Sequence, residues 1–112
     1  MLLSDELRGN LMILKVWESR LDASKAPTLR RALFERIERG HQSIVLDLAD
    51  VDFMDSAALS ALIAAVKKLG PVGTISVASM RLPVARLFSV TKMDRVIPVK
   101  TTVREAIRGL AA

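Results

Sequence analysis

The chain has no cysteine, no tyrosine and a single histidine among its 112 residues. Without thiols it can form neither disulfides nor a thiolate metal site. His41 has no second ligand or base near it in sequence, and it reads as a solvated turn residue without chemistry. Aromatic residues are also scarce: Trp17, Phe34, Phe53 and Phe88 are the complete set, and at least three of them stand in apolar contexts that predict core positions. A single-strand nucleic-acid binder interleaves aromatic side chains with its cations, and this chain does not. Nor is there a run of roughly 18 apolar residues of the kind that crosses a bilayer. The longest candidate, residues 57–66, is short and rich in alanine. Met1, Leu2 and Leu3 are soon followed by Asp5 and Glu6, so no basic-then-apolar leader is read at the start, and a cytoplasmic location is expected. A glycine-rich phosphate loop is missing too. These absences weigh against an enzyme, and no cofactor or metal is expected.

What is present fits one compact core. A length of 112 residues suits a single domain spanning 1–112, and 51% of the chain is hydrophobic. The formal net charge is +5. Arg30, Arg31, Arg36 and Arg39 share one expected helix, while the other cations are scattered, so an acidic protein partner or plain solubility accounts for the surplus.

The hydropathy pattern alternates strands with helices. A strand is weakly indicated over 2–7 and strongly over 11–17, with Gly9 and Asn10 supplying a hairpin turn. A helix follows to about Arg39, with Ser24 as candidate cap, Pro27 in its first turn, Ala26, Leu29, Leu33 and Ile37 inward, and Gly40 at its end. After the central stretch, Gly70 and Pro71 stop a helix and a strand is expected over 74–78. A short helix over 83–88 turns Val84, Leu87 and Phe88 inward. The last strand is expected over 95–99, with Pro98 marking an end or an edge. Thr102 and Glu105 have capping-box spacing ahead of a helix whose inner side is Val103, Ala106, Ile107 and Leu110. This order implies an α/β fold with a mostly parallel sheet of four or five strands.

The most informative stretch runs from Val45 to Leu69. Ile44, Val45, Leu46 and Leu48 form a run of the kind covered on both faces in a parallel sheet. Asp47, Asp50, Asp52 and Asp55 then place four carboxylates in nine residues. Beyond Ser56, the positions Leu59, Leu62, Ile63 and Val66 share one side of a helix. On the opposite side Ala57, Ala61, Ala64 and Ala65 carry little bulk. Two readings of these alanines stand: they lie under a neighbouring element, or they form a docking surface that begins at Ser56. Ser56 also has two readings. Its hydroxyl can cap the helix, contributing roughly 1 kcal/mol, or it can accept a phosphoryl group, adding about −1.5 to −2 charges at the positive helix end. The carboxylates could in principle gather around a hard cation, but with no second chemical group beside them they read as shaping the loop.

Asp47-Leu48, then Val51-Asp52-Phe53-Met54-Asp55-Ser56, then Leu59, resembles the signature of STAS domains, the family of bacterial anti-sigma factor antagonists. Arg20-Leu21-Asp22-Ala23, Ala26-Pro27 and Leu29-Arg30 resemble the family's other recurrent stretch, and the likeness spans about residues 11–110. The resemblance implies a single STAS-like domain with about four helices packed mainly on one side of its sheet. It further implies that Ser56 is the phosphoacceptor of a partner anti-sigma factor with serine kinase activity. The bare form would bind that partner and free its sigma factor, and the phosphorylated form would not. A phosphatase acting on phosphorylated Ser56 belongs to the same scheme. The expected contact residues are Asp22, Asp52, Met54, Asp55, Ser56, Ala57, Ser60, Ala61 and Ala64, with no direct contact to nucleic acid or membrane. Where the family has serine, glycine, leucine and glycine after the acceptor, this chain has Ala57, Ala58, Leu59 and Ser60. An alternative function of the same resemblance is a constitutive accessory subunit of a bacterial lipid-transport ATPase.

Overall fold

In the computed structural model the backbone is described for residues 1–111 and the side chains for residues 1–109. In chain order the elements are β1 (Leu3–Arg8), β2 (Leu11–Val16), β3 (Arg20–Leu21), α1 (Ala26–Glu38), β4 (Ser43–Asp47), β5 (Phe53–Met54), α2 (Ser56–Leu69), β6 (Thr74–Ala78), α3 (Leu82–Val90), β7 (Val99–Lys100) and α4 (Val103–Ala111). Short 3₁₀ turns follow α2 at Gly70–Val72 and precede β7 at Met93–Arg95. Five strands form one sheet in the order β1-β2-β4-β6-β7, and β3 pairs with β5 apart from it. Among the described residues only β1 and β2 are antiparallel, joined across Gly9, whose φ of +59° suits a residue without a side chain. The remaining neighbours in the sheet run parallel.

One row of the register, Leu14 opposite Leu46 opposite Val77, is fully buried and faces the main core. That core takes Leu29 and Leu33 from α1, Leu59 and Leu62 from α2, and Val84 and Phe88 from α3. Each fully buried leucine in it is worth about 1.5–3 kcal/mol over an exposed one. The other face of the sheet presents Leu11, Ile13, Val45 and Ala78, covered by Ala106 of α4 with Val103 and Ile107 beside it. Three helices therefore lie on one face and one on the other, and Ile44, Val45 and Leu46 of β4 are buried in succession because both faces are covered.

Several local expectations are corrected. Ser24 does not cap α1: Lys25 holds the N-cap position without a side-chain bond to the helix N–H groups, and the Ser24 hydroxyl donates instead to Asp22 Oδ1 at 2.6 Å. Of the stretch 95–99 only Val99 is in a strand. Met93–Arg95 turns as a 3₁₀ helix and pairing begins only at Val99, since Pro98 has no N–H to donate; its carbonyl still accepts from Val77 N at the sheet edge. The aromatics are less buried than their contexts suggest: Phe88 is 1% exposed, but Trp17 is 44% and Phe53 38% exposed. Both carry a cation over the ring, Lys15 on Trp17 and Arg20 on Phe53, which accounts for flat side chains at the surface.

Other expectations hold. Helix α1 closes on a Schellman pair of bonds, Gly40 N to the Ile37 carbonyl and His41 N to the Arg36 carbonyl. Thr102 Oγ1 accepts from Glu105 N at 3.1 Å, while the Glu105 carboxylate accepts from Thr101 N. The inward placement expected of Leu110 lies outside the described side chains. No helix among the described residues is long and apolar enough to cross a membrane.

Gly73, between α2 and β6, is fixed by space and not by dihedral angle. A Cβ there would run into the Gln42 carbonyl oxygen and lie 2.8 Å from Leu69 Cδ1. Gly73→Ala is expected to cost about 1–3 kcal/mol, as overpacking against backbone does. A shift in the urea midpoint without a change in slope checks it.

Candidate functional site

The two-residue pairing of β3 with β5, Arg20 opposite Phe53 and Leu21 opposite Met54, brings together the two separated sequence motifs. The Ser19 carbonyl accepts from both Asp52 N (2.8 Å) and Phe53 N (3.2 Å), and Asp55 N donates to the Leu21 carbonyl at 3.3 Å. Asp55 completes the junction. Its extended backbone makes it the N-cap of α2, with Oδ1 accepting from Ala57 N at 3.0 Å and Ala58 N at 3.2 Å. Its other oxygen, Oδ2, accepts from Ala23 N at 2.9 Å. One carboxylate thus satisfies two donors of the helix start and one donor of the loop before α1.

Ser56 is therefore not the cap. It occupies the first helical position and is exposed. By residue type and spacing aspartate caps as well as serine; the extended conformation at 55 decides between them. Ser60, one turn later, is exposed on the same side, and Ala57 and Ala64 are half-buried. Ala61 and Ala65 are buried in the core, so of the two readings of the alanine side these two follow the first and lie under a neighbouring element. Ala61 contributes only the floor of an open groove between α1 and α2, whose walls include Ala23, Pro27, Arg30, Ala57 and Ser60. Met54 is 5% exposed and points into the core, so its expected role as a contact residue is corrected: on a two-residue strand its neighbour Phe53 takes the outward position.

The aspartates do not converge. Asp47 Oδ1 accepts from Ala49 N, Asp55 is committed as described, and Asp52 points outward to Arg81, 2.7 Å from its Nη1. Among the described residues no three His, Cys, Asp or Glu side chains group closely enough to hold a metal. Asp22 sits beside the junction, accepting from Ser24 Oγ and Ser24 N, with Arg20 Nε 3.8 Å away. The Ser24 hydroxyl bond is the largest cause holding its carboxyl below the ordinary aspartate value, opposed by desolvation. A depressed folded-state value means that the associated stabilisation is present above the unfolded pKa and is lost as pH falls through the folded one. Ser24→Ala is expected to raise the Asp22 titration midpoint, measured by NMR of its side-chain carboxyl.

The STAS domain model matches residues 4–106. The chain belongs to the STAS domain family. A Thermotoga neapolitana protein provisionally named an anti-sigma factor antagonist is 28% identical to this STAS chain over 89 residues, which cover 78% of this chain and 79% of that one. The crystal structure of an anti-sigma factor antagonist from Mycobacterium paratuberculosis superposes with a TM-score of 0.89 at 23% identity, covering 99% of this chain and 94% of that one. The Bacillus anti-sigma factor antagonist SpoIIAA has been solved unphosphorylated and phosphorylated, with TM-scores of 0.73 and 0.72. Both SpoIIAA structures are 17% identical; the two comparisons cover 99% and 97% of this chain and 99% of each SpoIIAA chain. At such identities these structures speak for the STAS fold alone.

Proposed function

We propose that this STAS domain is an anti-sigma factor antagonist, not an enzyme, and that Ser56 is its switch. In the bare state the surface around Ser56 docks on a cytoplasmic anti-sigma factor that is also a serine kinase. Phosphate on Ser56 weakens that complex, and a phosphatase restores it. The observation that carries the reading is the division of labour between adjacent residues: Asp55 caps α2, which frees the exposed Ser56 hydroxyl to accept a phosphoryl group without loosening the helix. A dianion there lies at the positive end of the helix, so the fold tolerates it. A closely apposed partner would have to desolvate it. The relatives' names as anti-sigma factor antagonists support the same reading.

The direct test is mass spectrometry of the protein isolated from its native cell with its partner retained. The partner-bound fraction is expected to carry unmodified Ser56 and the free fraction phosphorylated Ser56. Equal phosphate occupancy in the two fractions contradicts the switch. Recovery of a membrane ATPase in place of a kinase-like protein would favour the accessory-subunit alternative.

A further inference from the structure

The turn that leads into Ser56 is held from two sides, and the recurrent motifs account for only one. Toward residues 19–23 the holding groups are the backbone bonds of the β3 and β5 pairing and the Asp55 carboxylate. Toward β6, Leu48 N donates to the Ala78 carbonyl at 3.0 Å, and then a side chain crosses over from α3. Arg81 Nε donates to the Ala49 carbonyl at 2.6 Å, and Arg81 Nη1 donates to Asp52 Oδ1 at 2.7 Å. One planar guanidinium thus spans two acceptors on a single turn, which the point-like ammonium of lysine cannot reproduce.

The chain accepts unfavourable backbone geometry next to this contact. Ser79, at the end of β6, has φ +60°, a left-handed conformation that a non-glycine residue adopts at a cost. Arg81 stands two residues later at the N-cap position of α3, where its donor-only guanidinium has no acceptor to offer the helix N–H groups and reaches across to the turn instead. Arg81 and Asp52 are each about half exposed at their side chains, 50% and 57%, and an ion pair in that setting alone contributes little. The bond to the Ala49 carbonyl is what makes the pair a clamp.

We propose that Arg81 is a positioning residue for the Ser56 site, clamping the 49–52 turn so that β5 and the start of α2 are presented in one geometry. Asp52 then serves recognition through Arg81. The clamp stands on its own bonds, whereas its consequence for partner binding rests on the reading of Ser56 as a switch.

Amide hydrogen exchange of the full chain tests the clamp itself. Arg81→Ala is expected to accelerate exchange across residues 49–56 on the order of tenfold, leaving the central strands unchanged. Arg81→Lys should restore part of the protection, and Asp52→Asn, which keeps the Ala49 bond, should lose only part. The partner recovered with unmodified Ser56, once purified, should bind Arg81→Ala about tenfold more weakly, and Arg81→Lys between the two. Unchanged exchange in Arg81→Ala overturns the proposal, even where Ser56→Asp still abolishes binding. Faster exchange confined to 49–56, with no protein responding to Ser56, leaves the clamp in place and removes the switch.

Discussion

Ser56→Asp is expected to lose the partner that the unmodified chain holds, with affinity falling about a hundredfold, or ~2.7 kcal/mol. The effect belongs to the contact and not to the fold. Because Asp55 supplies the cap, position 56 needs only a residue that suits the first turn of a helix, and a carboxylate there is favoured by about 0.3–1 kcal/mol. Ser56→Ala should likewise fold normally, within about 0.5 kcal/mol of wild type, where loss of a true cap would cost about 1 kcal/mol. The alanine variant should bind the partner as wild type does and stay bound when ATP is added. Calorimetric titration of the three proteins against the same partner, with thermal melts alongside, separates these effects. Equal affinity for all three would leave Ser56 with no part in recognition.

That separation of roles was only half legible in the sequence. The acidic loop, the serine and the apolar side of α2 marked the right place, because helical period and turn chemistry are local signals. Which of two adjacent capping residues acts is a matter of one ψ angle, and spacing does not report it. The pairing of Arg20-Leu21 with Phe53-Met54 was invisible for a different reason: two residues are too few to show a period of two, and their partners lie about thirty residues away. The same limit hid Arg81, whose acceptors belong to a turn remote from it in sequence. Helix α1 and the β1–β2 hairpin were readable because the one has a long pattern and the other a diagnostic turn residue, and the short α3 because Val84, Leu87 and Phe88 keep helical spacing. The alanines of α2 divided by burial: on an amphipathic helix a small side chain suits both a close helix neighbour and an open face, and only packing against α1 assigns Ala61 and Ala65 to the first.

Asp55→Ala should be the most damaging single change at the site, costing about 2 kcal/mol. Losing the cap bonds to Ala57 N and Ala58 N accounts for about 0.5–2 kcal/mol. The Ala23 N–H, which Asp55 Oδ2 now satisfies from across the junction, would lose its partner as well; Ala23 is exposed, so water takes the donor over and the net loss is about 0.5–1.5 kcal/mol. Against a total stability of roughly 5–15 kcal/mol that is a large fraction. Asp55→Asn distinguishes the two contributions. Asparagine caps a helix about as well as aspartate, so its carbonyl oxygen can keep the bonds to α2, but its amide then turns a donor toward the Ala23 donor. An intermediate loss of about 1 kcal/mol is expected, concentrated in the latch between the two motifs. Urea unfolding of the three proteins reads the totals. Amide exchange at Ala23 should speed up in both variants, while that at Ala57 and Ala58 should speed up only in the alanine variant. If Ala57 and Ala58 lose protection equally in both, the carboxylate acts through its charge at the helix end and not as a latch joining two loops; the two motifs would then be held together by the β3 and β5 backbone bonds alone.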